Sequence, residues 1–119
     1  MRFLTRWLRP MPEPPPSIEP AALAARLAGE APPLVVDVRG RDEFVGPLGH
    51  IAGAANLPLD ELAARLSDLA RDRRAIVTVC RTDRRSATAA GRLRAAGAAE
   101  VAVLKGGMEE WRRLGLPVA

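Results

Sequence analysis

At 119 residues, with 48% hydrophobic and 27% charged residues, the chain has the length and composition of one globular domain and can bury a core without metal or disulfide staples. Its composition and formal charge of +4 exclude both a membrane-spanning chain and an acidic disordered one. A single cysteine, Cys80, excludes an internal disulfide, and a single histidine, His50, leaves too few soft ligands for a Cys/His zinc cage.

Lys105 is the only lysine, so nearly all the positive charge sits on planar, permanently charged guanidinium groups, which suit oxyanions. The arginines are scattered among Ala-rich stretches, and the aromatics are limited to Phe3, Trp7, Phe44 and Trp111. That pattern argues against a nucleic-acid partner.

In chain order, residues 1–16 form a basic, Pro-rich N-terminal extension: FLTRWLR followed by PMPEPPP, which cannot sustain a helix. Two readings stand for it, a disordered or surface-packed tail, or a contact for a partner or membrane surface through Phe3, Trp7 and the arginines. Arg2, Arg6 and Arg9 interrupt the apolar residues before they reach the length of a signal sequence, so the expected location is cytoplasmic, with no integral membrane segment.

The domain proper is expected over 17–119. Glu19-Pro20 reads as a helix start and Gly29 as its stop. Leu34 to Val38, LVVDV, reads as a buried parallel strand. Apolar residues at Leu59, Leu62, Ala63, Leu66, Leu69 and Ala70 have a period near 3.6 and predict an amphipathic helix over 59–70. Ala75 to Val79, AIVTV, predicts a second strand that runs straight into Cys80. An Ala-rich helix over Ser86 to Ala96, a third strand over Val101 to Leu104, a turn at Gly106-Gly107 and a short helix over Met108 to Leu114 complete the chain. Strands alternating with helices imply right-handed crossovers and an α/β fold, a mainly parallel central sheet with helices on both faces. In such sheets ligands bind beyond the carboxyl ends of the strands, where Asp37-Val38-Arg39 and Cys80 to Arg85 both fall.

The segment VTVCRTDRRSATAAGRL places Cys80 at the end of a strand, followed by a loop and then a helix. A loop entering a helix aims free N–H groups at one point and adds the positive end of the helix dipole. Arg81, Arg84 and Arg85 strengthen that field. Such surroundings favour thiolate over thiol, which makes Cys80 the candidate nucleophile. Its backbone cradle would run from Arg81 through Thr82, Asp83, Arg84 and Arg85 to Ser86, and Ser86 is expected to begin the helix and contact the sulfur.

The chain resembles the rhodanese family over about 17–119, through DVRGRDEF at 37–44, GHIAGAANLPL at 49–59, CRTDRRS at 80–86 and LKGGMEEW at 104–111. The resemblance implies the rhodanese-like three-layer fold and sulfurtransferase activity with thiosulfate, a persulfide, or a protein or thiol acceptor as partner. It implies Cys80 as the catalytic cysteine, Cys80 to Arg85 as its loop, and no metal or organic cofactor. Related phosphatases and arsenate reductases hold one more residue between cysteine and arginine than the four between Cys80 and Arg85, so the resemblance implies sulfur transfer. Many single-domain relatives have glycine at the position of Asp83, which suggests positive φ there. The Asp83 charge would oppose a dianion such as thiosulfate unless Arg81 or Arg84 pairs with it. A non-catalytic or protein-to-protein persulfide relay module on the same fold is the rival reading.

The remaining polar residues have structural readings. Asp37 and Arg39 read as an ion pair or backbone cap shaping the neighbouring loop, and Arg39 with Glu43 as a short-range pair. His50 is read as structural, Phe44 as a core aromatic, and Trp111 with Leu114 as the apolar face of the last helix.

Overall fold

The computed structural model describes residues 13–119. The N-terminal tip with Phe3 and Trp7 lies outside them. The sheet is five-stranded: β1 (Ser17–Ile18), β2 (Leu34–Asp37), β3 (Ala55–Asn56), β4 (Ile76–Val79) and β5 (Val101–Leu104), in the spatial order β1-β5-β4-β2-β3. Every neighbouring pair is parallel. Parallel neighbours need crossovers, and these are supplied by α1 (Pro20–Leu27), α2 (Arg41–Phe44), a 3-10 helix (Leu59–Arg65) leading into α3 (Leu66–Arg71), α4 (Arg84–Ala95) and α5 (Gly107–Arg113).

Alternation along the strands sends successive side chains to opposite faces, so the core divides into two layers. On one face Val36, Ile76, Val101 and Val103 pack with Leu62, Ala89, Ala90 and Leu93 under the 3-10 segment and α4. On the other, Val35, Val77, Val79 and Leu104 pack with Leu23, Met108 and Trp111 under α1 and α5. The three-layer α/β architecture expected from the alternation of strands and helices is therefore present. Among the described residues no helix is long and apolar enough to cross a membrane.

Several local expectations need correction. The segment 59–70 is not one α-helix; it is a 3-10 helix that breaks at Arg65 (φ −114, ψ 0) before α3 begins. Leu59 and Leu62 are three apart, a spacing that eclipses in a 3-10 helix and keeps both on the core side. The helix after the Cys80 loop begins at Arg84, two residues before Ser86, with Asp83 at its N-cap. The strands β1 and β3 and the short helix α2 were not anticipated; elements of two or four residues carry no readable period. Trp111 is buried as expected, but Leu114 is exposed. Phe44 is half-buried and stacks on the His50 ring, 3.8 Å between centroids.

Candidate active site

Cys80 directly follows β4 at the carboxyl end of the sheet, and only 1% of its surface is accessible. The Ser86 amide donates to its Sγ at 3.3 Å, and the thiol donates to Ser86 Oγ at 3.2 Å. The Ser86 hydroxyl in turn donates to the Asp83 carbonyl at 3.0 Å. Ser86, the third residue of α4, thus contacts the sulfur through both its amide and its hydroxyl.

The loop is shaped from outside by α5. Met108 N–H donates to the Cys80 carbonyl at 2.9 Å and Glu109 N–H to the Arg81 carbonyl at 3.1 Å. In a planar trans peptide the N–H points opposite to its C=O, so anchoring these two carbonyls outward turns the Arg81 and Thr82 amides inward. Among the described residues, no protein acceptor takes up the amides from Arg81 through Arg85. They remain free to donate to an anion at the loop. Close approach of α5 requires Gly107, where φ is +58 and a Cβ would stand 2.5 Å from the Cys80 carbonyl oxygen, 2.6 Å from the Arg81 carbonyl carbon and against the Thr82 oxygen.

The charges around the loop differ from the expected arrangement. Arg85 is bound to Glu43 by two hydrogen bonds of 2.7 and 2.9 Å. That contact, helped by the Gly40 amide at 3.2 Å, holds the Glu43 carboxyl at about 2, although partial burial pushes it up. Arg81 is paired with Glu109 at 3.4 Å. Asp83 meets neither Arg81 nor Arg84; its Oδ1 accepts from the Gly106 N–H at 2.8 Å. Its φ is −132, so the position does not demand glycine.

Asp37 and Arg39 form an ion pair at 2.8 Å in which both side chains are 1% exposed, rather than Arg39 pairing with the Glu43 carboxylate. Arg39 spends its remaining donors on the Glu43 carbonyl at 3.1 Å and the Gly49 carbonyl at 2.8 Å. It therefore fixes the backbone that presents Glu43 to Arg85. His50 Nδ1 lies 3.0 Å from the Phe44 carbonyl, a structural contact in that same loop. Three contributors carry no signal in the sequence: Glu43 as the partner of Arg85, Glu109 as the partner of Arg81, and Asn56, whose amide donates to the Asp37 and Arg39 carbonyls at 3.1 and 2.9 Å. No local signal links Glu43 to a residue 42 positions away.

The profile of the family described as "Rhodanese-like domain" matches residues 19–114, the span that carries both the sheet and the Cys80 loop. The chain belongs to the rhodanese-like domain family. A sulfurtransferase from Allochromatium vinosum is 36% identical over 101 residues, covering 85% of this chain and 92% of that protein. The uncharacterized protein YqhL of Bacillus subtilis is 39% identical over 84 residues, and the match spans 71% of this chain but only 64% of that protein's length. Among solved structures, a rhodanese-related protein from Thermoplasma volcanium superimposes with a TM-score of 0.76 at 32% identity, covering 87% of this chain and 97% of that one. The rhodanese-like fold is thus shared with these proteins.

Proposed function

We propose that this rhodanese-like domain is a sulfurtransferase that carries a sulfane sulfur on Cys80 from a thiosulfate or persulfide donor to a thiophilic acceptor. The observation that carries the reading is Cys80 Sγ at the root of a loop whose amides from Arg81 to Arg85 have no protein acceptor among the described residues, with Ser86 N–H already on the sulfur. The Cys80 thiolate attacks the outer sulfur of the donor. The donor's S–S bond breaks as a new S–S bond forms, and the electron pair leaves with sulfite or with the donor thiolate. The loop amides hold the donor's negative charge during attack and the terminal sulfur of the Cys80 persulfide afterwards. A cyanide, thiol or protein acceptor then attacks that terminal sulfur and restores the Cys80 thiolate. Arg84 complements the loop's charge from its rim, while Arg81 and Arg85 are each paired with a carboxylate, Glu109 and Glu43.

No resident metal or organic cofactor takes part in this cycle. Cys80 is a free thiol, and its use as a nucleophile suits a reducing compartment such as the cytoplasm, which is the location this reading takes. Thiocyanate formation from thiosulfate and cyanide, compared between the native protein and Cys80→Ser, tests the reading. Turnover that disappears in the variant supports it, and equal rates in both would reject Cys80 as the carrier.

A further inference from the structure

Arginines dominate the Cys80 loop in sequence, yet the folded loop mouth is close to neutral. Arg85 is committed to Glu43 and Arg81 to Glu109. Among the described residues Arg84 has no carboxylate partner and Asp83 no cationic one. The hollow beside Asp83 is lined by Glu19, Lys105, Gly106 and Glu110. Its one ammonium, on Lys105, is bound to Glu19 at 3.2 Å, and Glu110 is bound to Arg113. The exposed Asp83 carboxylate is therefore held on the loop by the Gly106 amide with its charge uncompensated by a side chain.

We infer that Asp83 sets donor specificity, turning the site away from dianionic thiosulfate and towards the monoanionic persulfide of a thiol. The inference rests on the sulfur-transfer reading and names its donor class. A dianion entering the loop meets one more unit of repulsion from Asp83 than a monoanion does, while the amides of Arg81 to Arg85 serve either donor. The transfer from a persulfide is balanced: the Cys80 thiolate bonds to the terminal sulfur, the donor's S–S bond breaks, and the donor leaves as its thiolate. No oxidant or reductant is consumed. The same chemistry is presented by a small free persulfide and by a protein-borne one.

The test compares kcat/KM for thiosulfate, for the persulfide of 2-mercaptoethanol and for serum albumin persulfide, with cyanide as acceptor. The native protein prefers at least one persulfide over thiosulfate, and the faster of the two identifies the source. Asp83→Asn keeps the acceptor for Gly106 N–H but removes the charge, and the persulfide-to-thiosulfate ratio falls about threefold, the size of one screened charge interaction at the loop. Arg84→Gln, which removes the unpaired cation, raises the ratio. A native preference for thiosulfate, or a ratio that neither variant moves, overturns the inference while leaving sulfur transfer intact. Failure of every donor to add one sulfur atom to Cys80 overturns the transfer reading and this inference with it.

Discussion

Glu43 and Arg85 stand 42 residues apart in sequence and meet through two hydrogen bonds of 2.7 and 2.9 Å at the edge of the Cys80 loop. The pair joins α2, which follows the first long strand, to α4, which carries the loop's last arginine. It makes the orientation of Arg85 a property of the fold and not of the loop alone.

That pair gives the protein an acid-sensitive element. The Glu43 carboxyl is held at about 2 in the folded state against an ordinary 4.5, chiefly by its hydrogen bonds from Arg85. A depressed carboxyl contributes stability that is fully present above its unfolded value and is lost as pH falls towards the folded one. The Glu43 side chain is 39% exposed, so solvent screening limits the contribution to under about 1 kcal/mol. Urea midpoints measured from pH 6 to pH 2 are expected to fall more steeply for the native protein than for Glu43→Gln between about pH 4.5 and 2. Parallel profiles would assign no stabilising role to the pair.

Gly107→Ala is expected to cut sulfur transfer by more than about tenfold, because a misplacement near 1 Å is enough for a loss of that order. The new methyl group would push against the Cys80 and Thr82 carbonyls and turn the loop amides away from the sulfur. Gly53→Ala, also at positive φ but with open space around its Cβ position, isolates the cost of backbone conformation. A Gly107→Ala protein that transfers sulfur like Gly53→Ala would remove close approach of α5 from the explanation.

Ser86→Ala removes the hydroxyl that accepts from Cys80 and donates to the Asp83 carbonyl, while leaving the Ser86 amide on the sulfur. The expected outcome is a modest destabilisation of about 1 kcal/mol and slower formation of the Cys80 persulfide. Stopped-flow mixing with donor and a denaturant titration would separate the two effects.

Arg39→Ala is expected to destabilise the domain by about 3–5 kcal/mol, since it strands the Asp37 carboxylate in the core. Thermal unfolding of Arg39→Ala beside Asp37→Asn/Arg39→Met checks the cause. The double substitution recovers part of the loss if the uncompensated charge is responsible.

Much of this architecture is legible in the sequence because its long elements are periodic and its strands are buried on both faces. LVVDV, AIVTV and VAVL read as interior parallel strands from their length and β-branched content, and each is followed by polar residues at the ligand-binding edge. Ser17–Ile18 and Ala55–Asn56 join the sheet through register with β5 and β2 rather than through composition, so nothing local announces them. The Cys80 loop is readable as a strand–loop–helix anion site, whereas its net field is not. Charge compensation by Glu43 and Glu109 depends on contacts across 42 and 28 residues, which only the fold brings about. Asp83 shows the same limit, because its backbone conformation and its bond to Gly106 follow from the packing of α5 against the loop.

The most direct test of the account is the mass of Cys80 itself. After incubation with the persulfide of 2-mercaptoethanol and removal of excess donor, the Cys80 peptide is expected to gain the mass of one sulfur atom, which cyanide then removes as an equal amount of thiocyanate. An unmodified Cys80, or a sulfur that cyanide fails to release, would contradict the proposal that this cysteine carries sulfur between donor and acceptor.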